Sequence, residues 1–173
     1  MLLCFGEKLR YLRQQNNVTQ IDLAARLGLV AQGQISRLEN GRRQPSLTVV
    51  IGIAELFSVT TDYLLRDDVP IDIHSVYQTG DRIIQAEPIR LFGIKLRQLR
   101  TYRGLTQSDL AQHLAPYTQA HVSQLERGFS EPSIELTLDV AGLFQVTTDY
   151  LIRDIIPVEE ESFPSQETES AEE

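Results

Sequence analysis

Apolar residues recur along this chain at spacings of three and four rather than two. Leu9 and Leu12, then Leu23, Ala24 and Leu27, then Leu47, Val50, Ile51 and Ala54 each mark one side of a helix, because at 3.6 residues per turn positions three or four apart share a face. No alternating strand pattern competes inside these stretches. The polar residues between them set the boundaries. Thr19 with Asp22, and Thr106 with Asp109, have capping-box spacing, in which a hydroxyl and a carboxylate each satisfy a backbone N–H at the helix start. Pro45-Ser46 and Pro132-Ser133 open further helices, while Gly41 and Gly128 close the ones before. The final helices fall near Thr61 to Arg66 and Thr148 to Arg153. The pattern predicts an all-α protein.

These signals occur twice. An offset of 87 residues aligns positions 5–67 with 92–154 without a gap and with about half the residues identical. FGEKLRYLR answers FGIKLRQLR, TQIDLA answers TQSDLA, QISRLENG answers HVSQLERG, and VTTDYLLRD answers VTTDYLIRD. The expected organisation is a five-helix domain over 1–67, a linker over 68–91, a second five-helix domain over 92–154 and a tail over 155–173. A domain of about 60 residues buries a small core and is only marginally stable alone, so contact between the copies is expected. Pro70, Gly80 and Pro88 break the helical rhythm in the linker, around an alternating piece from Ile71 to Tyr77. Its recurring apolar residues suit packing against a repeat or a second subunit.

The net charge of −8 argues against a nucleic-acid partner, since phosphate neutralisation supplies much of the affinity of such proteins. Its placement changes that picture. Glu159, Glu160, Glu161, Glu167, Glu169 and Glu173 crowd the tail with Pro164 and several serines, a composition that suits a disordered, solvating segment. Without the tail the chain is close to neutral, and Arg10, Arg13, Arg37, Arg42 and Arg43 give the first third a basic excess. No apolar run approaches the roughly 18 residues of a membrane span. The opening apolar residues run at once into Glu7, Lys8 and Arg10, unlike a secretion signal, so a cytoplasmic protein is expected. Cys4 has no partner for an internal disulfide, and His74, His113 and His121 lack ligand-like spacing, so neither metal nor cofactor is expected. No nucleophile, acid pair or ligand set converges in the manner of an enzyme.

Both copies resemble the Cro/phage-repressor type helix-turn-helix family, often termed XRE-like. Its pattern of Thr-Gln-x-x-Leu-Ala, a turn, Ile-Ser-x-x-Glu-x-Gly and Pro-Ser is met by Thr19, Gln20, Leu23, Ala24, Ile35, Ser36, Glu39, Gly41, Pro45 and Ser46. It is met again by Thr106, Gln107, Leu110, Ala111, Val122, Ser123, Glu126, Gly128, Pro132 and Ser133. The resemblance implies two tandem lambda-repressor-like DNA-binding domains. The recognition helix of the first begins around Gln32. With Ile35 and Leu38 turned inward, helical spacing leaves Gln32, Gly33, Gln34, Arg37 and Asn40 outside. Glutamine can hold adenine, and arginine guanine, through paired hydrogen bonds in the major groove. The resemblance further implies that Gln20 meets a phosphate and braces Gln32. The backbone at Asn40 and Gly41 meets the opposite strand, and Arg42 and Arg43 extend that clamp.

The second copy offers Gln107, Gln119, Ala120, His121, Gln124 and Arg127, with Phe129 and Ser130 in place of Arg42 and Arg43. Its electrostatic grip is expected to be weaker. Thr118 caps its recognition helix where the first copy has Ala31, and both turns are about one residue longer than the family's usual spacing. The unlike recognition residues suit an asymmetric site, or a second copy given over to dimerisation. The expected function is a repressor-like transcriptional regulator that docks the recognition helices of one or both domains on double-stranded DNA, with a homodimer as one open assembly. The competing reading is a protein-interaction module, an antitoxin or adaptor whose helix-turn-helix copies bind a protein partner. For Gln32, Gln34 and Arg37 the plain alternative is a solvated helix face, whereas Thr19, Asp22, Ile35, Glu39 and Pro45 identify the fold rather than read bases.

Overall fold

The computed structural model describes residues 4–29, 33–71 and 89–156. Ten helices lie within them, five in each repeat. The first repeat holds α1 (Phe5–Gln15), α2 (Gln20–Arg26), α3 (Gly33–Glu39), α4 (Leu47–Phe57) and α5 (Thr61–Leu65). The second holds α6 (Phe92–Tyr102), α7 (Gln107–His113), α8 (Gln119–Glu126), α9 (Ile134–Phe144) and α10 (Thr148–Ile152). The expected all-α design of tandem five-helix units is the one observed. Both capping boxes form: Thr19 Oγ1 accepts from Asp22 N at 3.1 Å while Asp22 Oδ2 accepts from Thr19 N at 3.3 Å, and Thr106 with Asp109 does the same. Ser46 and Ser133 cap α4 and α9, and Gly41 and Gly128 reverse the chain at φ +65° and +71°.

Each repeat wraps its helices around the stripes read from the sequence. Leu9, Leu23, Ile35, Val50, Ile53 and Leu64 have no exposed surface, nor do Leu96, Leu110, Val122 and Leu151 in the second repeat. The core requires one close approach, where the backbone of α1 lies against the end of α3. A Cβ on Gly6 would stand 2.5 Å from the Glu39 carbonyl oxygen, and one on Gly93 would collide with that of Leu125. Glycine is the residue that permits this crossing.

The ends of each repeat are tied together by two devices that the sequence pattern does not display. Lys8 is fully buried and donates to the carbonyls of Tyr63 and Arg66 at 2.7 and 2.5 Å; Lys95 does the same to Tyr150 and Arg153 at 2.6 and 2.9 Å. These carbonyls lie at the C-terminal ends of α5 and α10, where they lack N–H donors from further along the helix. Burial lowers both lysine pKa values, against the attraction of nearby carboxylates. At the same end of each helix pair, Asp67 accepts from Cys4 N, and Asp154 accepts from Arg90 N and Leu91 N.

The repeats also pack on one another through α5 and α10. Thr61 N donates to Asp149 Oδ2 at 2.9 Å, Thr148 N donates to Asp62 Oδ2 at 2.9 Å, and the Thr61 and Thr148 hydroxyls meet at 2.7 Å. Arg153 adds an ion pair with Glu55 at 3.6 Å. The buried apolar side chains of both repeats form one continuous cluster, as expected for small cores that gain by sharing surface. At the described ends of the linker, Val69 and Ile89 pack against this cluster, and the Ile71 carbonyl accepts from Tyr63 Oη at 2.7 Å. Most of the alternating piece, and the acidic tail from residue 157, lie outside the described residues.

Candidate nucleic-acid interface

The expected recognition helix of the first repeat is α3. Ile35 and Leu38 are buried, which turns Gly33, Arg37 and Asn40 to the exposed surface with Gln34 half-exposed beside them. Arg42 and Arg43 are exposed in the turn that follows. Gln32 lies outside the described residues, so α3 is described from Gly33. In the second repeat Val122 and Leu125 supply the buried ridge of α8; Gln119, Ala120, Gln124 and Arg127 are exposed and His121 is half-buried. Thr118 accepts from His121 N at 3.3 Å, which fixes the start of α8.

Behind each surface stands a polar network that joins three helices. In the first repeat Arg13 of α1 grips Glu39 through Nε and Nη2 at 2.6 and 3.2 Å, while Gln20 Nε2 donates to the same carboxylate at 2.8 Å. In the second, Arg100 pairs with Glu126, Gln107 Nε2 donates to Glu126 at 2.8 Å, and Gln119 Nε2 donates to Gln107 Oε1 at 3.1 Å. The chain Arg100–Glu126–Gln107–Gln119 runs from a nearly buried ion pair to the first exposed residue of α8. The brace that family resemblance placed between Gln20 and Gln32 is thus seen between their counterparts Gln107 and Gln119. Burial alone would raise the Glu39 and Glu126 carboxyl pKa values. Hydrogen bonds from arginine and glutamine, with the arginine charge, outweigh it and hold both below the ordinary value.

This network corrects one part of the charge reading. Arg13 was counted toward a basic surface, but its guanidinium is spent on Glu39, with 15% of its side chain exposed. Arg10 is divided between Glu39 at 3.5 Å and the Asn40 side chain at 2.9 Å. The exposed positive charge near α3 therefore comes chiefly from Arg37, Arg42 and Arg43. In the second repeat Arg127 folds back on Ser123 and lies over the Phe129 ring at 5.9 Å, and Phe129 is 77% exposed. The ion pairs were missed because each partner lies 26 residues from the other. Their only local trace is Arg and Glu recurring at matched places in both copies.

A row of polar side chains on a short outward helix, backed by a rigid carboxylate network and preceded by a capped helix, defines a helix-turn-helix unit. The Helix-turn-helix family matches residues 9–64, and a second helix-turn-helix domain family matches residues 91–151. The chain belongs to the helix-turn-helix family. An uncharacterised HTH-type transcriptional regulator of Methanocaldococcus jannaschii, MJ0272, is 40% identical over 63 residues, covering 35% of this chain and 94% of that protein. The HTH-type transcriptional activator BcrR of Enterococcus faecalis is 43% identical over 64 residues, covering 37% of this chain and 31% of BcrR. The uncharacterised regulator YqaE of Bacillus subtilis is 33% identical over 64 residues, covering 37% of this chain and 54% of YqaE. The chain thus spans about a third of BcrR and about half of YqaE. The P22 c2 repressor in complex with a synthetic operator aligns over 37% of this chain and 96% of its own, at 28% identity and TM-score 0.35.

Proposed function

We propose that this chain is a sequence-specific transcriptional regulator that binds double-stranded DNA in the cytoplasm and represses by covering a promoter. Gln32, Gln34 and Arg37 read base edges for the first repeat, with Gly33 allowing close approach. Gln119, His121, Gln124 and Arg127 read them for the second. Gln20 and Gln107 hold phosphates, while Asn40, Arg42 and Arg43 clamp the opposite strand. The domain divisions at 67, 91 and 154 are part of the same reading.

The observation that carries it is the outward placement of Arg37 and Gln34 above the buried Ile35 and Leu38, with Gln20 pinned to Glu39 behind them. A charged, polar stripe held this firmly matches the donor and acceptor pattern of a major groove. Membership of a family whose relatives are named transcriptional regulators supports it further.

The test is equilibrium binding to a selected duplex at several salt concentrations. Arg37→Ala should cost about 1–3 kcal/mol on that sequence and little on scrambled DNA, as expected for lost base contacts. Replacing Arg42 and Arg43 with Ala should weaken both and flatten the salt slope by about 2. Unchanged affinity in both variants defeats the site assignment, and a promoter-reporter strain that gains signal with the protein defeats the repressor role.

A further inference from the structure

The contact between the repeats has the form of a subunit interface. Thr61 and Asp62 are the equivalents of Thr148 and Asp149 at the 87-residue offset, and each threonine amide donates to the other repeat's aspartate. The two threonine hydroxyls meet each other. A contact in which residue i touches j while the equivalent of j touches the equivalent of i is the signature of a two-fold, self-complementary interface. Here both halves belong to one chain. Thr61 and Thr148 are wholly buried and Asp149 nearly so, which leaves this surface already occupied.

A second feature lies on the same local axis. A cleft of about 460 Å³ is lined by residues 44–48 of the first repeat and 131–135 of the second, with Ile89 between them. These segments directly follow the turns after α3 and α8. The segments that leave the two candidate DNA-facing turns therefore face one shared cleft, an arrangement that suits one duplex crossing both.

The surfaces so paired are not alike. Where the first repeat has Gln34, Arg37, Asn40, Arg42 and Arg43, the second has His121, Gln124, Arg127, Phe129 and Ser130. The first repeat holds eight basic and six acidic side chains over 5–67, and the second six and seven over 92–154. An arginine favours a guanine edge where a glutamine favours adenine, so Arg37 and Gln124 select different bases at related positions.

Building on the DNA-binding reading above, we propose that a single chain occupies one operator made of two unlike half-sites, its repeats taking the place of two subunits. The preferred DNA is non-palindromic. Guanine stands opposite Arg37 and adenine at the related position opposite Gln124, and the first half-site provides most of the phosphate-dependent affinity. In this arrangement the internal pair stands where the two subunits of a homodimer would.

Selection of bound duplexes from random DNA, followed by native mass measurement of the complex, tests the proposal on the intact protein. One chain per duplex and an enriched site without two-fold symmetry are expected. The variant His121→Gln with Gln124→Arg and Arg127→Asn alters exposed or half-buried side chains. It should prefer an inverted repeat of the first half-site over the wild-type operator by about tenfold or more. A wild-type complex of two chains on a palindrome overturns the internal pairing while leaving DNA recognition intact. Failure of any sequence to be enriched overturns DNA recognition itself, and this proposal with it. Unaltered preference in the triple variant removes the assignment of α8 to the second half-site.

Discussion

Glu39 and Glu126 show how one carboxylate can organise a surface. Each is nearly buried, accepts from an arginine on the first helix of its repeat, and holds the glutamine that opens the second. Removing one member of a buried ion pair leaves the other charge desolvated without compensation. Glu39→Gln should therefore lower stability by about 3 kcal/mol in urea denaturation. The acid response follows from the same pairs. Both glutamates, and the capping Asp22 and Asp109, have folded-state pKa values held below the ordinary ones. As pH falls the unfolded chain takes up protons first. This part of the stability is complete above the ordinary glutamate value of 4.5 and is lost as pH drops through the folded values. The urea midpoint should hold between pH 7 and 5.5 and decline below about 4.5, less steeply in Glu39→Gln. A midpoint that rises on acidification contradicts this account. Arg37 and Gln34 were legible as outward residues because helical spacing is local, whereas Arg13 was misread as surface charge because Glu39 lies 26 residues away.

The helices themselves were largely written into the sequence. Thr-x-x-Asp spacing, Pro-Ser pairs and glycines at φ near +65° are local signals, and the ends they set are the ends observed. The angle at which helices cross was not. Gly6 sits in a helix beside ordinary helix formers, and only the folded backbone shows the Glu39 carbonyl where its Cβ would go. Gly6→Ala should destabilise by about 1–3 kcal/mol, the usual cost of forcing atoms into filled space. It should also weaken DNA binding, because α3 is the element pushed aside. Gly33→Ala makes the contrast: a Cβ there meets nothing within 4 Å, and the second repeat already carries Ala120 at that place. It should stabilise by up to about 1 kcal/mol, as helix propensity predicts. Thermal denaturation of the two variants checks both signs, and equal shifts would refute the crossing argument.

At the scale of the whole chain, the repeat was visible by simple alignment, and its small cores announced that the copies would touch. Which surfaces meet could not be read, because Thr61, Asp62, Thr148 and Asp149 serve the same local helix starts whether or not they face each other. The structure joins them across 86 to 88 residues of sequence. Replacing Asp62 and Asp149 with Ala strands two threonine amides, each at a cost of about 1–3 kcal/mol where the group stays dry. Calorimetry should then resolve two unfolding events in place of one cooperative transition; a single sharp transition in the variant would show that the repeats are held together by other means.

The mutual capping of α5 and α10 bears on dosage. A regulator that must first find a second polypeptide loads its target in proportion to the square of its abundance when scarce, and can be captured by related subunits. On the single-chain reading proposed above, a chain whose pairing surface is filled by its own other half loads in simple proportion, and the face holding Thr61 and Thr148 is closed to exchange. If it acts on a promoter as proposed, small changes in its synthesis pass to that site undiluted, even in a cell that holds only a handful of copies.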